Sequence, residues 1–198
     1  MAAAHQAREV GLAACRRVIR ASGLSIRAVH RGDADGAASV RAEALAALRE
    51  AQAACGPFPA VAFAGFLHDA EKEYAEAELT AALVDGGPLP AAAALGVQPA
   101  AWLCGLAEAA SELRRCLLDR LRAGSLDEAE SLLSAMDDVY GLLVTVDYPD
   151  ALTGGLRRTT DAFRAVLERT RSDLTLTVVQ SRLLGALEGR DSGGPELS

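Results

Sequence analysis

The chain has 198 residues, enough for one domain with a sizeable core; 51% of them are apolar, yet only 4% are aromatic. Alanine does most of the filling, which suits helices packed at close range and disfavours strands, whose faces favour β-branched and aromatic residues. A net charge of −7 excludes a generally basic nucleic-acid coat but leaves room for a local basic stripe.

No apolar run follows a basic start, so no signal peptide is expected. No window approaches about 18 uninterrupted apolar residues, so no membrane span is expected and a cytoplasmic location is the default. Cys15, Cys55, Cys104 and Cys116 form no C-x-x-C pair and sit among apolar residues, which reads as buried, reduced thiols.

Residues 3–31 read as one helix or two closely joined ones, with Leu12, Cys15, Ile19, Ile26 and Val29 near the helical period. Ser22-Gly23 is a place for a kink or for the close approach of a neighbour. Arg16, Arg17, Arg20, Arg27, His30 and Arg31 give this helix a strong positive bias. Gly32-Asp33 breaks the pattern, and Asp35 is the expected cap of a second helix over about 37–54. Cys55-Gly56-Pro57-Phe58-Pro59 reads as a turn, and a third helix is expected from about 60 to 84. Asp85-Gly86-Gly87-Pro88-Leu89-Pro90 ends it.

Pro99 suits the first turn of a fourth helix that stops at Gly124. Ser125-Leu126-Asp127-Glu128 resembles a capping box opening a fifth, with Leu132, Leu133, Met136, Val139, Tyr140 and Leu143 on its apolar face. After turns at Asp147-Tyr148-Pro149-Asp150 and Thr153-Gly154-Gly155, a last helix is expected over 156–187. Residues 189–198 are expected to form a disordered tail. With no strand or hairpin signal, the chain reads as all-α: one domain over 1–188, a bundle of about six to seven helices.

Two pairs of acids stand out. Glu73 and Glu76 are three apart and share a helix face with Phe66, Ala70, Leu79 and Leu83. A carboxylate pair in line with an apolar stripe is costly unless a cation or donor neutralises it. Glu108 and Glu112 are four apart, preceded on their side by Ala101, Cys104 and Gly105, small enough for a neighbouring helix to lie close. Either pair alone is usually a solvated face. Together, on two packed helices, they could converge four carboxylates in a bundle core. Oxygen-only ligation favours Mg²⁺ or Mn²⁺ and suits hydrolysis of phosphodiesters or phosphoanhydrides. His68 lies near the first pair, as a surface residue or as one that orients a ligand. No Ser–His–Asp order, Walker loop or dinucleotide fingerprint is present.

These stretches resemble the translin and translin-associated factor X family. Glu73-Tyr74-Ala75-Glu76-Ala77 is similar to the "QEYVEA" segment of the factor X branch. Residues 101–114, from Ala101-Trp102-Leu103 to Glu112-Leu113-Arg114, resemble "DYLLGVADLTGELMR", where the acids have the same spacing. The segment from Asp147 through Arg157-Arg158 to Leu183 is similar to the family's last helix in its archaeal form, and Arg20 to Arg31 to its first. The match spans most of residues 10–185.

The resemblance implies a seven-helix bundle assembling as a homo-oligomeric, typically octameric shell that binds single-stranded RNA or DNA. It also implies Mg²⁺-dependent endoribonuclease activity where the acids are kept. Carried over by position, the catalytic and metal-binding acids are Glu73, Glu76, Glu108 and Glu112, with Glu108 in place of the family's Asp. The nucleic-acid-binding set is Arg16, Arg17, Arg20, Arg27, His30 and Arg31, lining an interior while the outside stays acidic. Two alternatives stay open: a shell that binds without cutting, and an all-α Mg²⁺-dependent nucleotide pyrophosphohydrolase, whose second acid pair is normally three apart.

Overall fold

Ala7, Ala14, Val18, Ala21, Ser25 and Ala28 recur at helical spacing and give the first helix, α1 (Ala2–His30), one buried face. In the computed structural model, which describes residues 1–191, this helix runs unbroken through Ser22-Gly23. Gly23 has no neighbour within 4 Å of where a Cβ would stand, so it serves neither a kink nor a close contact. His5 lies within α1, and Ile19 is on its exposed side, Val18 taking the inward place.

The end of α1 is fixed by local chemistry. Gly32 takes φ +73°, its N–H donates to the Val29 carbonyl and that of Asp33 to the Ala28 carbonyl, which closes the last turn. The Asp33 side chain then accepts from the Gly36 N–H at 2.9 Å and caps α2 (Ala34–Cys55). The cap is therefore Asp33, two residues before the expected Asp35, because the turn brings Asp33 to the free N–H groups.

The expected helix over 60–84 is divided. A single turn, α3 (Pro59–Ala62), is followed by Phe63-Ala64-Gly65, and Gly65 at φ +95° starts α4 (Phe66–Val84). A short turn α5 (Ala92–Leu95) precedes α6 (Pro99–Arg122). Then come α7 (Leu126–Leu143), the turn α8 (Asp150–Thr153) and α9 (Leu156–Asp191). Ser125 precedes α7 without a side-chain capping bond. The last helix passes its expected end at 187; the rest of the expected tail, 192–198, lies outside the described residues.

The protein is all-α. Among the described residues, six long helices form the bundle, with no strand. Helix α1 packs on α2 and α4, α4 on α6, and α6 on α7 and α9. Helix α6 is thus central, and Ala101, Cys104, Gly105, Leu106, Ala107, Ala109 and Ala110 on it are all buried. Phe163 of α9 meets Tyr140 of α7 edge to face, with centroids 6.3 Å apart. Cys15, Cys55 and Cys104 are buried free thiols, whereas Cys116 is half-buried. Among the described residues no helix is long and apolar enough to cross a membrane.

Candidate functional site

Helices α4 and α6 run side by side in the same direction, so both acid pairs land at one level. The crossover between them is pinned from both ends. The buried Glu71 carboxylate accepts from Gln52 Nε2 at 2.8 Å and from the Gln98 N–H at 3.1 Å, and Trp102 Nε1 donates to the Pro90 carbonyl at 2.9 Å. Gly105 sets the spacing: a Cβ there would lie 2.8 Å from the Lys72 carbonyl oxygen and 3.0 Å from the Glu76 nitrogen. Without a side chain at 105, the two helices meet nearly backbone to backbone.

Across this seam the structure brings together Glu73, Glu76 and Glu108, each with a carboxylate oxygen within 4.8 Å of the others. Glu76 is 9% exposed and stands at the bottom. Burial, and then the like charges of Glu108, Glu73 and Glu112, push its carboxyl up to about 8, with Lys72 opposing them. Lys72 Nζ donates to both oxygens of Glu108, at 2.8 and 2.6 Å, and lies 3.3 Å from Glu73 Oε1. Burial alone would pull its ammonium down; bonds and charge from Glu108, then Glu73, outweigh this and hold it above the ordinary lysine value.

Lys72 is the chain's only lysine, and spacing arguments pass over it. Its two hydrogen bonds run to Glu108 on the neighbouring helix, a partner that spacing within α4 does not reveal, and it also pairs with Glu73 beside it. One ammonium does not balance four neighbouring carboxylates. An excess of negative charge, partly buried and built only from oxygen donors, is the donor set that a hard divalent ion fits.

Glu112 stands beside the cluster and outside it. Its carboxylate accepts from His30 Nε2 at 2.6 Å, and His30 Nδ1 lies 3.4 Å from Cys116 Sγ. His30 therefore does not join the arginines on a phosphate-facing surface: its side chain is 2% exposed and both ring nitrogens are occupied. Its place in the helix turns it inward, since Ile26, four residues earlier, is also buried.

Arg16, Arg20, Arg27 and Arg31 form one exposed row along α1, opposite the side that packs on α2 and α4. Among the described residues Arg16, Arg20 and Arg27 make no ion pair, whereas Arg17 holds Glu50 at 2.5 Å and Arg31 lies 4.0 Å from Asp33. Within one chain this row and the carboxylates occupy different faces. His68 sits against the Gly154-Gly155 turn: a Cβ on Gly154, whose φ is +62°, would fall 2.6 Å from His68 Nε2.

No protein-family model matches the chain. Solved structures do. AfC3PO in complex with duplex RNA is 32% identical, covers 89% of this chain and 91% of its own, and superposes with a TM-score of 0.80. AfC3PO alone gives 32%, 89%, 92% and 0.81. Apo-NeC3PO, at 20% identity, covers 87% of this chain and 92% of its own with a TM-score of 0.76, a likeness of fold. An uncharacterized protein of Methanocaldococcus jannaschii is 27% identical over 175 residues, 88% of this chain and 77% of that protein. The all-α bundle is that of the translin-like proteins. The chain belongs to the translin family.

Proposed function

We propose that this protein binds single-stranded RNA and cleaves it as a Mg²⁺- or Mn²⁺-dependent endoribonuclease, working as a homo-oligomer. The observation that carries the reading is the meeting of Glu73, Glu76 and Glu108 at one point on α4 and α6. Burial, and then repulsion among the crowded carboxylates, raises Glu76, a cost that a bound cation would offset. The duplex RNA held by AfC3PO, at 32% identity, supports RNA as the ligand.

Glu73, Glu76 and Glu108 would hold the ion, which would supply water activation and charge stabilisation at the phosphate. The chain's own groups do the positioning. Gly105 keeps the two helices close enough for all three carboxylates to reach one centre. Lys72 holds Glu108 in place and supplies a positive group beside the site. His30 fixes one Glu112 oxygen beside the cluster. The longer Glu108, where the family has Asp, is accommodated by the two bonds from Lys72. The row of Arg16, Arg20 and Arg27 offers phosphate contacts away from the cluster; in an assembly it faces RNA held by several subunits.

A labelled RNA incubated with Mg²⁺ tests the reading. Cutting that is lost with EDTA and abolished by Glu73→Ala, with RNA binding retained, is the expected result. Binding without cutting would make the protein a non-catalytic shell, and release of pyrophosphate from nucleoside triphosphates would move it to the pyrophosphohydrolases.

A further inference from the structure

A cleft of about 430 Å³ opens between α4, α6 and the start of α9. Glu108 belongs both to its wall and to the carboxylate cluster, and Lys72, also on the wall, is bonded to Glu108, so the cleft adjoins the cluster. Its other basic side chains are His68 and Arg158. Among the described residues Arg158 makes no ion pair and His68 no hydrogen bond. Other arginines at the flanks of the bundle are neutralised from within: Arg41 meets Glu78 at 3.2 Å and Arg114 meets Asp173 at 2.7 Å. Of the two acids on the wall, Glu108 is already paired with Lys72, and Asp69 is exposed.

His68 is also held in place. The missing side chain of Gly154 makes room for its ring, so the imidazole rests on the turn that leads into α9. The first backbone bond within that helix is from the Thr159 N–H to the Gly155 carbonyl at 3.2 Å, and both residues line the cleft. The positive end of a long helix therefore adds to the two side chains.

We propose that this cleft is a phosphate subsite, in which Arg158 and His68 hold the internal strand phosphate next to the one placed at Glu73, Glu76 and Glu108. This rests on the RNA-cleaving reading above and extends it to residues outside the acid motif. Arg158 supplies a guanidinium with no internal partner to give up, and His68 a ring nitrogen at a fixed position. The subsite sets the register of the strand across the cluster.

The test measures binding of a 5′-hydroxyl RNA oligonucleotide, in which every phosphate is internal, with EDTA present so that nothing is cut. Arg158→Ala is expected to weaken binding about 5- to 10-fold near 0.1 M salt. It should also lower the slope of log Kd against log salt by about 0.7, the signature of one lost contact to a single strand. The double variant with His68→Ala should weaken binding further. Arg122→Ala removes a charge roughly 21 Å along α6 from Glu108, at 1.5 Å per residue, and should leave the slope unchanged.

Thermal melting separates loss of contact from loss of fold. An Arg158→Ala protein that melts normally and keeps the wild-type affinity and slope would overturn the subsite. A wild-type protein that binds RNA but does not cut it, with the Arg158 effect present, leaves the subsite standing while the nuclease reading falls. A wild-type protein that binds no RNA overturns both.

Discussion

Gly105 lies so close to α4 that a methyl group on it would stand 2.8 Å from the carbonyl oxygen of Lys72. Two of its three nearest neighbours are backbone atoms, which move only if the helices part. Gly105→Ala is therefore expected to cost about 1–3 kcal/mol. At roughly 2–4 °C per kcal/mol for a chain of this size, calorimetry would show the loss. Mn²⁺ affinity should fall at least about tenfold, because the cluster is spread apart. Gly141→Ala, on α7 with nothing within 4 Å, should melt at or slightly above the wild-type temperature.

The raised carboxyl of Glu76 gives a pH dependence of definite sign. Between its ordinary value of 4.5 and about 8, the native chain keeps a proton that the unfolded chain has released. Stability of the metal-free protein should therefore fall as pH rises across that window. Glu76→Gln removes the titrating group and should flatten the profile, raising the melting temperature at pH 9 by at least about 4 °C. Metal binding needs the charged form, so Mn²⁺ affinity by calorimetric titration should rise toward pH 8, with a proton released on binding.

His30 and the α1 arginines should separate in experiment. His30→Ala leaves the Glu112 oxygen without its 2.6 Å donor and opens a small cavity, an expected loss of about 2–3 kcal/mol in denaturant unfolding. The salt slope of RNA binding should not change. Arg20→Ala and Arg27→Ala, both exposed, should leave stability within about 0.5 kcal/mol and lower that slope by about 0.7 each.

Leu176, Val179, Leu183 and Leu187 recur along one side of α9 and are 51–60% exposed. Four large apolar groups in an exposed row on α9 are expected to meet a second copy of the chain. Leu183→Glu should shift the species seen by light scattering to a smaller mass without lowering the far-ultraviolet helical signal. An unchanged mass would place the subunit contact elsewhere.

Much of the fold is legible because helices of this chain carry their own punctuation. Gly32, Gly124 and Gly154 stop helices at positive φ, and Pro99 opens one in its first turn. The division at Gly65 is less visible, since Phe63 and Phe66 continue an apolar pattern across it. Phe63 is in fact almost wholly exposed. Periodicity reports which residues could share a face, and only packing decides which face is covered.

The acids show the same boundary between sequence and structure. The spacing of Glu73 with Glu76, and of Glu108 with Glu112, follows from the helical period and depends on nothing else. The sequence by itself thus determined an all-α chain, two acid pairs and a basic first helix. Tertiary structure decided that three of the four acids meet, that Glu112 turns to His30, and that Lys72 enters the cluster. It also turned the arginine row away from that cluster and placed Arg158 beside it. The reason is physical: each of these relationships depends on contacts between helices, which spacing along one helix does not report, and at the α4–α6 seam the distance is set by the small residue at its centre, Gly105.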